Sequence, residues 1–118
     1  MTVRDWQEIV RLEIIMDRGD ECGGQLFVPH ECVHPRGLPL DVNEVLIPKS
    51  VFQKLPKSKQ RYFYHKYNCE LCCRAFHQNF GHSKQYRRWF MEYVSGRYGG
   101  VEVANWLAGV PLKLKRPI

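Results

Sequence analysis

The sequence predicts an α+β fold, a small strand-and-helix core flanked by amphipathic helices. Three observations carry that prediction. Apolar residues recur at helical spacing near both ends of the chain. Short strand-like segments bounded by glycine and proline occupy the middle. Residues 67–82 hold three of the five cysteines and two of the five histidines, so soft metal-ligand chemistry is concentrated in one stretch.

A chain of 118 residues is expected to form a single domain, 1–118. At that size it buries about two-thirds of its unfolded surface, so metal is not required as its main stabiliser. The expected division is an N-terminal helix (1–18), a core (41–82), C-terminal helices (83–110) and a basic tail (111–118). No apolar run approaches the roughly 18 residues of a membrane span, so no membrane partner is expected. The first residues are too charged for a secretion signal. The five cysteines, two of them adjacent at Cys72 and Cys73, then point to reduced thiols or metal ligands in a cytoplasm. The formal charge of +6 suits a polyanionic partner, because each Lys or Arg set against a phosphate releases condensed counterions. Charge alone is a weak signal, since many basic proteins bind no nucleic acid.

Residues 2–17 read as the first helix. Thr2 and Asp5 stand in capping-box spacing, Trp6, Ile9 and Val10 with Leu12 and Met16 supply an apolar stripe, and Gly19 stops it. Residues 20–39 carry Cys22, Gly23, Gly24, His30, Cys32 and His34 among turn formers, and the alternation of Leu26 and Val28 predicts a β-hairpin around 25–33. Residues 41–48, D-V-N-E-V-L-I-P, form a short strand ended by proline. Residues 50–66 interleave Lys54, Lys57, Lys59, Arg61 and Lys66 with Phe52, Tyr62, Phe63 and Tyr64. This loop with a helical turn either lies along a phosphate backbone or is a solvated basic loop whose aromatics point inward.

Residues 83–98 give the clearest helical stripe, Tyr86, Trp89, Phe90, Tyr93 and Val94, with Lys84, Arg87 and Arg88 on the other face and Gly99 and Gly100 at the end. A shorter helix repeats the spacing with Val103, Trp106, Leu107 and Val110 before Pro111. Trp6, Trp89 and Trp106 are read as core aromatics. The tail from Lys113 is either a phosphate contact or a frayed terminus.

Two motifs now stand in order: D-V-N-E-V-L-I-P-K-S at 41–50, and N-C-E-L-C-C-R-A-F-H at 68–77. Together they resemble the HNH (ββα-metal) nucleases, whose first strand reads D-V-H-H-I-x-P-R-S or D-L-H-E-V-L-I-P-R-S and whose second motif reads N-L-x-x-L-C-x-x-C-H. The resemblance covers 41–82 and implies two strands and a helix around one divalent ion, Mg, Mn, Ni or Zn. In that family one residue at the end of the first strand binds metal, its neighbour acts as general base on water, and the loop Asn orients the base. Carried across, Glu44, Asn68 and His77 are the candidate catalytic residues, with Glu44 the base and Asn68 its orienting group. His77, His82 and Asn43 are the candidate metal ligands.

The chain departs from the family at telling positions. Asn43 stands where a histidine is usual, and a carboxylate among cations is a poorer base than imidazole, so His34 or His65 swung into the site is an alternative. The second helix histidine is expected at Gly81. His82 comes one later, off the face of His77 unless the helix ends between them. The zinc knuckle of many relatives is also incomplete, because position 76 is Phe and Cys22 and Cys32 are separated by nine residues. A structural zinc held by Cys22, Cys32, Cys73 and one of Cys72, His30 or His34 stands against cysteines that merely fill core space.

The resemblance implies a metal-dependent DNA endonuclease or nickase. DNA contacts are assigned to Lys54, Lys57, Lys59, Arg61, Lys66, Arg74, Lys84, Arg87 and Arg88. Small members of this kind are encoded by tailed phages near packaging genes, which implies an infected host's cytoplasm and phage packaging proteins as further partners. The second reading is a catalytically silent HNH-derived DNA-binding or scaffolding protein, which Asn43 favours. The third is a small zinc-binding interaction domain.

Overall fold

The first helix, α1 (Val3–Arg18), begins where the capping box places it. The Thr2 hydroxyl accepts from the Asp5 N–H at 3.3 Å, and the Asp5 carboxylate accepts from the Thr2 N–H at 2.7 Å. Gly19, at φ 92°, ends it in a conformation that suits glycine. This computed structural model describes residues 1–112, so the expected basic tail lies outside the described residues from Lys113 on.

The buried face of α1 is Trp6, Val10 and Ile14. The expected stripe is corrected here, since Ile9, Leu12 and Met16 are exposed. At 100° per residue Ile9 and Met16 sit about a third of a turn round from the core face and Leu12 nearly half a turn. At its far end Arg18 rivets α1 to the sheet. Its guanidinium donates to the carbonyls of Lys66 (2.7 Å) and Cys69 (2.5 Å) and lies 3.5 Å from the Glu70 carboxylate, with both side chains almost fully buried. Removing one partner of such a pair strands a buried charge and costs about 3–5 kcal/mol.

No hairpin forms at 25–33. A single helical turn, α2 (Gly24–Phe27), is followed by irregular chain to residue 40. The reason is the glycine pair. A Cβ on Gly23 would lie 2.2 Å from the Glu70 side chain, and one on Gly24 2.6 Å from the Phe76 ring. The segment therefore presses onto neighbouring elements, and the Gly23 N–H bonds the Leu71 carbonyl at 2.7 Å. The Gln25 side chain satisfies both backbone groups of His30, doing what a paired strand would have done.

Strand β1 (Asp41–Glu44) pairs antiparallel with β2 (Cys69–Cys72), Asp41 opposite Cys72 and Glu44 opposite Cys69. The strand expected over 41–48 is thus cut to four residues. Asn68 explains the break. Its Oδ1 accepts from the Ile47 N–H at 2.7 Å and its Nδ2 donates to the carbonyls of Ile47 and Phe63, so the buried turn through Val45, Leu46 and Ile47 is held to the end of β2.

Residues 49–63 form α3 (Lys49–Phe52), α4 (Lys57–Gln60) and a 3₁₀ turn (Arg61–Phe63). Phe52 and Phe63 stack inside the core with centroids 4.5 Å apart, and Tyr64 is buried beside them. Lys54, Lys57, Lys59 and Arg61 are exposed, while Tyr62 alone of the four aromatics faces outward.

Helix α5 (Arg74–Phe80) follows β2 directly, completing a strand, strand, helix order, and α6 (Lys84–Tyr98) begins at a Ser83 cap. Tyr86, Phe90 and Val94 are the buried residues of the expected stripe, and Trp89 and Tyr93 stack half-buried at its edge, 5.2 Å apart. Gly99 at φ 103° turns the chain into α7 (Gly100–Ala108), which buries Val103 and rests Trp106 and Leu107 against the core. None of the helices is long and apolar enough to cross a membrane, among the described residues.

Candidate functional site

Two centres meet at α5, one at its first turn and one along its length. At the first turn the ligand atoms of Cys22, His30, Cys32 and Cys73 lie within 4.8 Å of one another. His30 Nε2 is 3.6 Å from Cys22 Sγ, 3.7 Å from Cys32 Sγ and 3.5 Å from Cys73 Sγ. A tetrahedral ion with Zn–S near 2.3 Å and Zn–N near 2.0–2.1 Å would set its N and S ligands about 3.6 Å apart. Four donors at that spacing could hold a metal.

The surroundings prepare these donors. His30 Nδ1 donates to the Val28 carbonyl at 2.7 Å, which holds the ring with Nε2 toward the three thiols. Its ring stacks on Phe76 at 5.0 Å. The Cys73 N–H points at Cys22 Sγ (3.3 Å), the Phe76 N–H at Cys73 Sγ (3.5 Å) and the Gln25 amide at Cys32 Sγ (3.1 Å). Burial pushes the Cys73 thiol up, but the Phe76 N–H and the His30 imidazole outweigh it and bring it down to about 7. Burial dominates at Cys22, raising it to about 11 against the N–H groups of Cys73 and Gly24. Of the alternatives for the fourth ligand, His30 occupies the place. Cys72 is buried beside the Glu70 carbonyl and the Tyr86 ring, outside the cluster. His34 accepts from the Arg74 N–H and faces the Pro39 carbonyl, so it caps α5 instead.

Along α5, His77 and His82 stand with ring centroids 5.7 Å apart. Helix α5 stops at Gly81, and that stop brings the two residues together despite their five-residue spacing. His77 Nδ1 lies 3.0 Å from Asp41 Oδ2; a carboxylate only accepts, so Nδ1 is the donor and Nε2 is the ring nitrogen left free of Asp41. Asp41 also takes a two-pronged bond from Arg74, at 2.8 and 3.1 Å. Although burial raises the Asp41 carboxyl, its bonds from Arg74 and His77 hold it below the usual range. Burial, then the neighbouring His77 and Arg87, lower His82.

These two histidines line two clefts. One, of about 700 Å³, is walled by Arg4, Glu8, Arg11, Asp41 and Arg74. The other, of about 590 Å³, is walled by Glu44, Lys49, Ser50 and Arg87. Gln7 and Val42 border both, so the clefts join across the His77–His82 pair. The result is a groove with cations on each side and two carboxylates near its middle.

The expected roles are met unevenly. Glu44 lies in the groove, 5% exposed, with Oε1 lacking a hydrogen-bond partner. Asn43 is fully buried, donates to the Gly81 carbonyl at 2.9 Å, and leaves Oδ1 without a partner. Asn68 does not orient Glu44, because its amide is committed to the backbone of Ile47 and Phe63. His77, His82, Asp41 and Glu44 make no second cluster as tight as the thiol one, among the described residues. Neither stand-in base arrives: His34 caps α5, and the His65 ring packs on Tyr67 and Trp106.

Among the basic residues, Arg74 and Arg87 wall the groove. Lys84 and Arg88 are exposed on α6, and Lys54, Lys57, Lys59 and Arg61 are exposed outside the groove lining. Lys66 is drawn to Asp17 (3.7 Å) and over the Tyr98 ring, a structural post more than a free cation. Sequence reasoning missed Asp41 as the partner of His77, and it missed Arg4, Arg11 and Lys49. The spacing of Arg74 and His77, three apart on one helix face, was the available signal for a shared acidic partner. No family model matches the chain, and no curated protein or solved structure is significantly similar to it.

Proposed function

We propose that the protein is a metal-dependent DNA endonuclease or nickase of the HNH kind, with a structural zinc at Cys22, His30, Cys32 and Cys73. The observation that carries the reading is the Asp41-held His77 beside His82, at the junction of two cation-walled clefts. Three thiols and one imidazole are a zinc-type donor set, whereas two imidazoles and carboxylates suit a wider range of divalent ions.

Within the groove, Asp41 fixes the ring of His77 and its tautomer. His77 Nε2 and His82 are the nitrogens offered to a divalent ion, which when bound would polarise the scissile phosphate and stabilise the leaving oxygen. Glu44 is the carboxylate placed to accept a proton from water. Arg4, Arg74, Lys49 and Arg87 would meet the phosphates on either side. Asn43 contributes shape, since its amide ties β1 to the end of α5.

A supercoiled-plasmid assay across Mg²⁺, Mn²⁺, Ni²⁺ and Zn²⁺, with a chelator control, tests the assignment. Wild type should nick or linearise the plasmid only with metal, and His77→Ala should abolish scission while retaining DNA binding. Asp41→Asn should lower the rate about 10–100-fold, the usual cost of losing a ligand's orienting partner. Unchanged cleavage by His77→Ala would sink the reading. The burial of Asn43 favours the second reading, an HNH-derived protein that binds DNA or scaffolds a packaging partner without cutting it. Salt-sensitive duplex binding with no scission under any metal would select that reading.

A further inference from the structure

Helix α1 has two working flanks. Arg4, Gln7, Glu8 and Arg11 face the histidine groove. Trp6 and Ile9 border a separate recess of about 490 Å³, shared with Arg61, Tyr62, His65 and Trp106. At 100° per residue the two sets occupy different sides of the helix, so this recess is a distinct site.

The recess is aromatic and cationic at once. Tyr62 and Trp106 are near-parallel, 15° apart with centroids at 6.0 Å, and His65 and Trp106 lie 28° apart at 5.4 Å. Tyr62 is 39% exposed and lines the recess. No acidic residue lines the recess, among the described residues. Arg61 lines it, and the exposed Lys57 and Lys59 stand on α4, the turn that runs directly into Arg61. A greasy protein side chain would have no use for those cations, whereas a planar ring carried on a phosphate backbone uses both features.

We propose that this recess takes an unpaired nucleobase of a single-stranded nucleic acid, stacked against Tyr62 and Trp106, with the adjoining backbone phosphates on Arg61, Lys57 and Lys59. Base–aromatic stacking of this kind tolerates any sequence, because every base has a π face, while the cations follow the backbone. Tyr64 lines the recess and lies against Glu44, which lines the histidine groove, so the two sites share a wall. The recess itself owes nothing to catalysis.

The test is a tryptophan-fluorescence titration of the full chain without added catalytic metal, against oligothymidylate, an abasic strand of equal length and a duplex of equal length. Oligothymidylate should quench the emission and bind about tenfold more tightly than the abasic strand, in line with one base–aromatic stack. Tyr62→Ser should erase that preference while circular dichroism shows the fold retained, and Arg61→Ala should weaken both single strands together. Equal binding of base-bearing and abasic strands overturns the proposal, as does a preference that survives Tyr62→Ser. A sedimenting dimer with its tryptophans already shielded would also overturn it and assign the recess to a second copy. Each failure leaves the plasmid assay untouched, since that assay reads His77.

Discussion

A Cβ placed on Gly81 would lie 2.5 Å from the His77 carbonyl oxygen and 2.9 Å from Asn43 Nδ2. Neither neighbour can give way cheaply, because one is helix backbone and the other holds β1 to α5. Gly81→Ala is therefore expected to cost about 2 kcal/mol in denaturant unfolding, within the range for overpacked sites, and to separate His77 from His82. A variant as stable as wild type would show that the contact yields. At this scale the site was partly legible. His77, His82 and Glu44 were picked out through the resemblance to the HNH motif, and all three line one cleft. Asp41 was not, since an aspartate at a strand start serves equally as a turn former. The task of Asn68 was misread for a related reason: a buried amide satisfies whichever backbone groups the turn leaves bare, and the letters do not say which.

At the scale of elements, α5 owes its first turn to a distant loop. The Arg74 N–H bonds His34, the Ala75 N–H bonds the Val33 carbonyl, and the Phe76 N–H points at Cys73 Sγ. These are the donors a helix start leaves unsatisfied. The Cys22, His30, Cys32 and Cys73 cluster, which could hold a metal, takes two of its donors, His30 and Cys32, from that same loop. Purified protein should carry one zinc per chain by mass spectrometry, and Cys32→Ser should lose it together with part of the helical signal. Cys72→Ala should keep the zinc even though it loosens the core. Zinc retained by Cys32→Ser would remove the assignment. Helices α1, α6 and α7 were readable from apolar spacing, α6 most clearly. The expected hairpin failed because Gly23 and Gly24 serve close approach to Glu70 and Phe76, a use of glycine that alternation cannot reveal.

Across the whole molecule, His65 links acidity to stability. Its Nδ1 accepts from the Tyr67 N–H at 3.0 Å and its ring packs near Trp106. Burial first, then the charges of Lys66 and Arg18, pull it from 6.5 to about 4. Between those values the unfolded chain binds the proton and the folded one does not. Stability should therefore be highest above pH about 6.5, fall as pH drops toward about 4, and level off below, by about 1–2 kcal/mol after solvent screening. Denaturant melts at stepped pH, with His65→Asn as the non-titrating control, read this directly. A control curve with the same slope would acquit His65. The α+β layout was legible because each segment's period is local. The meeting of the loop at 28–40 with α5 was not, because it joins residues far apart in the chain. That distance also orders assembly. Cys22, His30 and Cys32 leave the ribosome well before Cys73, which stands 51 residues beyond Cys22. Cys73 follows the strand residue that pairs with Asp41, so the step that zips the two strands also delivers the last thiol. A nascent chain stalled before residue 73 would hold a three-pronged, exchangeable site. Completion of the four-donor cluster would then mark the moment at which the core closes.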